Sequence, residues 1–391
     1  RATQQAGQLF AFIEALEHLR HAILIETKPD ALANLHEQRG DLLKMIERRE
    51  DAFQAFAQAH SLSEDDLQKA RVSRKQSTLT GRFNLEVARQ KYQATLDDLS
   101  HAQSKAGYWS EWIEAQLSWI ETCYWMQNGE EVSELLEQVR GPVEQHGTLL
   151  QKLTYRARLI SSAFINERYR MNQLHLTLAQ ETIELAIESG YPHQISNAKR
   201  QFAMVALCAG QLDVAEAAYR ETISLCKKNG DMNSMLIART YLSITHRRQR
   251  KLQDVRTDTD LLEQHLGQAS NNPAYRGVVD TNRAWLAYQS RDFDSAKKLA
   301  QSALDVWNTL ENPYPLHSLA RFLLFALAVQ DENTDEALAC AQAMLAPPEW
   351  KLTLEVESAL LAALEAGPAG RDLSLRLSRE AVEVAKKAGY L

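Results

Sequence analysis

Small and apolar residues recur along this chain three and four positions apart, which is the spacing of one face of an α-helix. In the clearest stretch, Val278, Trp285 and Tyr288 share one stripe, and Ala284 and Ala287 share the neighbouring one. No window shows sustained two-residue alternation bounded by turn residues, which is the pattern of a strand. The pattern therefore predicts an almost wholly helical chain.

A short phrase marks the points where these helices turn back on each other. The segment GQLDVA at 210–215 recurs as RDFDSA at 291–296 and, less closely, as RKLQDV at 250–255. Each copy is a polar turn and a large apolar residue, followed three positions later by a small or β-branched residue on which a second helix can pack. This last position serves as a marker, which we place at Ala15, Ala52, Glu86, Glu134, His175, Ala215, Val255, Ala296, Ala337 and Ser374.

The markers predict a repeat of helical hairpins. From Glu134 to Ala337 every step is 40 or 41 residues, and a period of this length is typical of stacked helical repeats. Glu86, Glu134 and His175 are neither small nor apolar, so only the surrounding pattern places these three. Ala296 and the alanines that follow it at helical spacing predict a tight seam with the helix that carries Ala284.

Composition agrees with long helices joined by short turns. The 391 residues include only 15 Gly and 9 Pro, which leaves few places for tight turns. Gly190, Gly230 and Gly389 follow predicted second helices, and we expect each to end its helix in a left-handed conformation. A chain of this length exceeds one ordinary globular core, which favours an array that grows by adding units.

Charge and cysteine content exclude several classes of protein. Lys and Arg number 44 against 51 Asp and Glu, a net charge of −7, so the chain lacks the basic excess of a general nucleic-acid-binding protein. The four cysteines are scattered, which favours a reducing cytoplasm. No apolar run is long enough to span a membrane. The chain begins at Arg1 rather than Met, so we expect it to be a piece of a longer protein.

The sequence shows no local catalytic or metal-binding motif. His18 and His21 lie one helical turn apart with no third ligand nearby, so we expect a solvated or packed pair rather than a metal site. No Gly-x-x-x-x-Gly-Lys-Ser/Thr loop is present to hold a nucleotide. We therefore expect no cofactor, no metal and no catalytic residue. An enzyme whose site is assembled from distant residues stays a remote alternative.

Two kinds of cluster have both a structural and a functional interpretation. Trp109, Trp112, Trp119 and Trp125 fall in one predicted helix, where core packing is favoured and a partner or ligand surface is the alternative. The basic run HRRQRK at 246–251 and the segment RYR at 168–170 are expected at turns. At a turn such residues are usually solvated, and the alternative is contact with an anion or an acidic partner.

The phrases around Gly210 and Arg291 resemble the tetratricopeptide repeat, with helices longer than those of the usual repeat of about 34 residues. Repeats of the longer kind are found in the C-terminal regions of bacterial STAND-type signal-transduction ATPases. LHEQRGD at 35–41 resembles the phrase that opens a repeat just after their ATPase modules. NRAWLA at 282–287, the Tyr314-Pro315 break and the final AGYL resemble later landmarks in the same order.

The resemblance covers essentially the whole chain and implies an all-α fold, a right-handed α-solenoid of about nine to ten stacked antiparallel helical hairpins. We expect N-terminal tetratricopeptide-like hairpins over 1–104, the first of them truncated, and a regular array over 105–391. In tetratricopeptide arrays the first helix of each hairpin lines the inner groove. The ligand- or partner-binding stripe predicted on this basis consists of Asn197, Arg200, Thr240, Arg247, Thr281, Trp285 and Tyr288. Packing of Trp285 and Tyr288 against the next hairpin is the alternative.

The function implied by the resemblance is a non-catalytic sensor and interaction scaffold of a larger signalling ATPase. Its partner in the groove would be a protein or peptide, a neighbouring protomer, or the ATPase or effector domain upstream in the same polypeptide. The alternative is a metabolite-sensing domain, in which a small-molecule inducer controls an attached NTPase switch. A protein groove is expected to be wide and charged, and a metabolite pocket to be enclosed and aromatic.

Overall fold

The computed structural model describes residues 2–46, 48–80, 85–269, 273–310, 316–346, 349, 351–367 and 370–391. In these residues the chain forms nineteen α-helices and no strand, which confirms the all-α prediction. The helices group into two compact units, residues 1–158 and residues 159–391. The expected boundary at 104/105 falls in the turn before α6, inside the first unit, and stays a prediction.

The first unit is built from helices that turn back on each other after a few residues. The pairs α2 and α3, α4 and α5, and α6 and α7 pack as antiparallel hairpins, and α1 packs on α2. The helices are α1 (Ala2–Ile25), α2 (Pro29–Met45), α3 (Arg49–Leu62), α4 (Asp66–Thr80), α5 (Leu85–Ser100), α6 (Tyr108–Trp125), α7 (Gly129–His146) and α8 (Leu149–Asn166), the last of which runs across the boundary into the second unit.

The second unit continues the same pattern with α9 and five hairpins. Within it, the first helices α10, α12, α14 and α16 form a row in which each contacts the next. The helices are α9 (Gln173–Ser189), α10 (Pro192–Cys208), α11 (Leu212–Asn229), α12 (Met232–Arg248), α13 (Leu252–Ala269), α14 (Pro273–Gln289), α15 (Phe293–Trp307), α16 (His317–Gln330), α17 (Thr334–Leu345), α18 (Leu354–Ala366) and α19 (Arg371–Ala388).

One turn geometry recurs between the two helices of a hairpin. A residue with positive φ lies two positions before the first residue of the second helix. Five positions after that positive-φ residue lies a small or β-branched residue that is fully buried. Asn or Asp at the intervening N-cap accepts a hydrogen bond from the first turn in three cases, at Asn128, Asp292 and Asn333. The positive-φ residues are Gln127, Gly210, Arg250, Arg291 and Glu332.

This geometry tests the register of the markers. The markers at Ala52, Ala215, Val255, Ala296, Ala337 and Ser374 are buried near the start of a second helix, as predicted. The markers at Glu86 and Glu134 were wrong by two residues, because both side chains are exposed and the buried residues are Ala88 and Val132.

Two further markers need correction. His175 was wrong by one residue: Leu176 is buried, while the Nδ1 atom of His175 accepts a hydrogen bond from the backbone N–H of Asn172 and caps α9. Ala15 lies in the middle of the 24-residue helix α1 rather than near the start of a helix. Both markers were placed from the residues around them in the sequence. Which position is buried depends instead on the neighbouring helix that packs against it.

The predicted alanine seam between α14 and α15 is confirmed. Ala284 on α14 and Ala296, Ala300 and Ala303 on α15 have no solvent exposure. Gly190, Gly230 and Gly389 also end α9, α11 and α19 in the left-handed conformation, as expected. Local spacing was sufficient for these features because it sets both the helix ends and the face that packs.

Contacts between distant hairpins close the second unit on itself. Arg168 and Arg170, in the turn after α8, pair with Glu357 and Glu355 in the first turn of α18. The turn prediction for 168–170 is confirmed, since Arg168 and Tyr169 both have positive φ. These arginines are ion-paired rather than simply solvated.

The end of the chain crosses the row of first helices. The ring of Tyr390 packs on Phe322 of α16 at a centroid distance of 4.7 Å, and the backbone of Gly389 lies against the side chain of Arg248 of α12. Leu391 is buried in the same core. Helix α16 is buried along nearly its whole length.

Candidate functional site

The seven predicted binding residues all lie on the row of first helices. Asn197 and Arg200 are on α10, Thr240 and Arg247 on α12, and Thr281, Trp285 and Tyr288 on α14. Asn197, Arg200 and Tyr288 are half-buried. The other four are at most 3 % exposed, so these four do not face an open groove, and the binding role of the stripe stays a prediction.

Burial of the stripe follows from the way the second unit closes. Trp285 belongs to one hydrophobic core with Phe322 and Phe325 of α16 and with Leu391, and Tyr288 packs against the edge of that core. The tryptophan therefore packs against the next hairpin, as the alternative interpretation held. An isolated hairpin would expose this face, so the sequence of α14 alone does not reveal its burial.

Three of the predicted residues converge between α12 and α14. The guanidinium carbon of Arg247 lies 5.5 Å from the ring centroid of Trp285, in a cation–π arrangement. Arg247 and Thr281 together line a narrow cleft, which we call the Arg247 cleft. Its remaining lining residues are Ile244, Val278, Asn282, Trp307, Leu316 and Leu319.

Several polar atoms at this point have no hydrogen-bond partner among the described residues. They are Nη1 and Nη2 of Arg247, Oγ1 of Thr281 and Nε1 of Trp285. Buried polar groups in folded proteins are nearly always paired, so a group of unpaired atoms at one place requires an explanation. Trp307 provides the contrast, because its Nε1 donates to the backbone oxygen of Ala274 at 2.9 Å.

The electrostatics of Arg247 agree with its isolation. Burial lowers the pKa of the Arg247 guanidinium to about 9, since removing a cation from water disfavours its charged form. The side chain is 3 % exposed. It is thus a buried cation without a counter-charge in the described part of the chain.

A second buried cluster on α12 was not anticipated from the sequence. Asp258 of α13 accepts a hydrogen bond from Nη1 of Arg239 at 3.2 Å and another from Nδ1 of His246 at 2.8 Å. Nε2 of His246 lies 3.4 Å from Glu216 of α11. The available signal was an aspartate on the apolar stripe of α13, one turn after the buried Val255.

The basic run at 246–251 is therefore only in part a turn. His246 and Arg247 lie inside α12 and are buried. Arg248 donates to the backbone oxygen of Leu207 at 2.7 Å, and Lys251 pairs with Glu216 at 2.6 Å. The expectation of a solvated turn is wrong for His246 and Arg247. Helix α12 continues to Arg248 and places both side chains in the core.

The half-buried residues of α10 form the polar end of the row. Nη2 of Arg200 donates to Oδ1 of Asn197 at 2.6 Å, and its Nε is buried without a partner in the described residues. Beside them Tyr241 is half-buried, and desolvation of its phenol raises the pKa to about 12. The neutral phenol and the arginine give this end of the row hydrogen-bond donors without a paired carboxylate.

The tryptophan cluster of α6 divides between core and surface. Trp119 is buried, stacks on Tyr92 at 4.8 Å and donates from Nε1 to Glu131 at 3.0 Å. Trp112 is half-buried, whereas Trp109 and Trp125 are among the exposed large side chains. Trp109 stacks on His146 at 4.7 Å.

Other chemistry is limited in the described residues. They contain no group of three or more His, Cys, Asp or Glu side chains placed to hold a metal ion, and no helix among them is long and apolar enough to cross a membrane. Burial raises the pKa of Cys208 to about 12 and that of Cys340 to about 11, which disfavours a reactive thiolate at either position.

Comparisons with known proteins give a fold rather than a family. No family model matches the chain, and no curated protein matches it significantly. Among solved structures, the STAND protein with a tetratricopeptide repeat sensor from Pyrococcus horikoshii is similar, with a TM-score of 0.53 and 15 % identity over 85 % of this chain. The match covers 49 % of that protein's chain, so this chain spans about half of its length.

Two peptide complexes are also similar. NprR in complex with its cognate peptide NprX matches with a TM-score of 0.54 and 12 % identity, over 79 % of this chain and 88 % of NprR. The Rap protein complexed with competence and sporulation factor matches with a TM-score of 0.57 and 11 % identity, over 88 % and 97 %. At these identities the likeness concerns architecture alone: the chain has the tetratricopeptide-like α-solenoid fold.

Proposed function

We propose that this chain is the sensor region of a larger signalling ATPase of the STAND type, and that it binds a peptide or protein segment on the row of first helices. The observation that carries the proposal is the set of unpaired polar atoms on this row, at Arg200, Arg247, Thr281 and Trp285. Natural cores pair such atoms, so their concentration on one row supports a ligand that pairs them when bound.

The similar structures support a peptide as the occupant. NprR and the Rap protein were each solved with a peptide or factor bound, and the STAND protein carries its repeats as a sensor. For the present chain these likenesses supply the architecture, and the polar atoms on the row supply the reason for binding.

The ion pairs between the turn at 168–170 and α18 give such a sensor a way to transmit binding. The pairs Arg168–Glu357 and Arg170–Glu355 are partly exposed, and exposed ion pairs contribute only about 0–1 kcal/mol each. A ligand on the row that binds the open or the closed arrangement more tightly would shift the balance between them. The attached ATPase would respond to that shift.

The Arg247 cleft favours a second candidate function, a sensor for a small molecule. It is narrow, Trp307 lines it, and the ring of Trp285 lies 5.5 Å from the guanidinium carbon of Arg247. These are the features expected of a metabolite pocket rather than of a wide protein groove.

A peptide-library screen tests the proposed function. Fluorescent heptapeptides would be titrated against the protein and against Arg200→Gln and Tyr288→Phe, which remove polar groups from the row while keeping most of the packing. Arg256→Gln, on the exposed face of α13, is the matched control. We expect bound peptides to lose at least about tenfold in affinity in the row variants and to keep it in the control. A library without binders, or binders indifferent to both row variants, would refute the proposal.

A further inference from the structure

Two arginines of α12 are buried to the same degree but have opposite surroundings. Arg239 is 5 % exposed and Arg247 is 3 % exposed. Arg239 faces α13 and pairs with Asp258. Arg247 faces α14, and its two terminal nitrogens have no acceptor in the described residues. One helix therefore contains both a compensated and an uncompensated buried cation.

An uncompensated buried cation opposes folding. Removing a guanidinium from water is unfavourable unless an anion or several hydrogen bonds replace the lost hydration. The ring of Trp285 offsets a part of this through the cation–π contact. The two Nη atoms still present a planar pair of donors, and the Thr281 hydroxyl lines the same cleft.

The ligand chemistry follows from this donor set. A guanidinium edge matches the two oxygens of a carboxylate in a bidentate pair, and a hydroxyl beside it can donate a further hydrogen bond. The rest of the lining is apolar or aromatic, apart from Asn282, whose side-chain nitrogen already donates to Ser243. As it stands in the structure, the cleft is too narrow to admit a water molecule, so a ligand has to part its walls, which favours a carboxylate on a short stem over a bulkier ligand.

We propose that the Arg247 cleft binds a carboxylate carried on a short apolar stem, with the Arg247 guanidinium as the charged anchor and Thr281 as a second donor. The inference names the chemistry of the ligand and so rests on the proposed sensor function. The same chemistry is offered by the C-terminal residue of a peptide and by a small organic acid. The competing explanation is a carboxylate of this chain: Glu311 lies in the segment 311–315, which is outside the described residues and precedes Leu316 of the cleft.

Equilibrium unfolding of two matched variants gives the first test. Arg247→Met should raise the melting temperature, because an apolar side chain replaces an unpaired buried cation. Arg239→Met should lower it, because Asp258 loses its partner. A melting temperature that falls for Arg247→Met as it does for Arg239→Met would show that Arg247 is already paired, and would overturn the inference.

Ligand titration gives the second test and separates the two sources. The probes are N-acetyl-leucine, which mimics a peptide C-terminus, and hexanoate, each compared with its uncharged amide at equal ionic strength. At least one acid should raise the melting temperature of the protein, while the amides should not, and the affinity for that acid should fall at least about tenfold in Arg247→Met. A response to N-acetyl-leucine alone would identify a peptide terminus, and a response to hexanoate alone a small acid.

The outcomes that contradict the inference are distinct from failure of the sensor function. If neither acid stabilises the protein at any soluble concentration, or acid and amide act equally, the carboxylate site is absent. If Glu311→Gln lowers the melting temperature and removes the stabilising effect of Arg247→Met, the anion belongs to the chain itself. Library peptides that bind through Arg200 but respond neither to Arg247→Met nor to C-terminal amidation would leave the sensor function standing and refute the carboxylate.

Discussion

Gly277 of α14 lies directly beneath the indole ring of Trp307 of α15: a Cβ at position 277 would stand 2.2 Å from Nε1 of that ring. The indole is held there by the hydrogen bond from Nε1 to Ala274 and is fully enclosed. The glycine thus permits the close approach of two helices at the edge of the Arg247 cleft, which Trp307 also lines.

Gly277→Ala should destabilise the second unit by about 1–3 kcal/mol, because the added methyl group overpacks the indole. Gly141→Ala is the matched control: this glycine also lies inside a helix, and a Cβ there would meet nothing within 4 Å. Pro142 follows Gly141 and crowds a Cβ on the helical residue before it, which offsets the helix-propensity gain of about 0.5–1 kcal/mol, so the control should lose less stability than Gly277→Ala. Urea unfolding of both variants measures the difference, and an equal effect of the two substitutions would contradict the packing described for Trp307.

Glu37 should make the stability of the first unit depend on pH. Burial raises the pKa of Glu37, but hydrogen bonds from Arg71 at 2.6 Å, Lys75 at 2.8 Å and Gln68 at 3.1 Å outweigh it and hold the pKa at about 2. The ordinary value is 4.5. A lowered pKa stabilises the folded state above about pH 4.5, and that contribution is lost as the pH falls toward 2.

The test compares the protein with Glu37→Gln across this pH range. The variant should be less stable by about 3 kcal/mol at pH 7, the equivalent of the shift from 4.5 to about 2, and the difference should shrink below pH 4.5. Glu134→Gln, at an exposed position of α7, should show no such difference. A gap between protein and variant that stays constant down to pH 2 would exclude this role of Glu37.

Asp258 should be critical for the stability of the second unit. Asp258→Asn removes the counter-charge of Arg239 and the carboxylate that accepts from His246, and breaking a buried ion pair from one side costs about 3–5 kcal/mol. Asp260→Asn, at an exposed position on the same helix, should stay within about 0.5 kcal/mol of the parent. Chemical unfolding measured side by side checks both values, and a loss below about 1 kcal/mol for Asp258→Asn would mean that the cluster is not buried as described.

The ion pairs between the turn at 168–170 and α18 should control local opening more than global stability. The double change Glu355→Lys and Glu357→Lys reverses both charges, so hydrogen exchange at residues 168–170 and in the first turn of α18 should accelerate. Adding Arg168→Glu and Arg170→Glu should restore protection. Glu365→Lys, at an exposed position of the same helix, is the control. Unchanged exchange in the first double variant would show that this contact does not hold the unit closed.

Local features of this protein could be predicted from its sequence because they depend on residues a few positions apart. The helical period, the glycine ends such as Gly230 and the alanine seam at Ala296 and Ala300 all depend on spacing within one or two turns. The same local reasoning failed by two residues at Glu134, where the flanking pattern matched two registers and only contact with the neighbouring helix distinguishes them.

The burial of the candidate site depends on contacts between parts of the chain that are far apart in sequence. The repeat predicted that Arg247, Thr281 and Trp285 share the row of first helices. Their burial depends on the next hairpin, because Leu316 and Leu319 line the Arg247 cleft and Trp285 belongs to one core with Phe322 of α16. The pairing of Arg168 with Glu357 spans 189 residues. Such closure results from small rotations added over successive hairpins, and no short stretch of sequence encodes that sum.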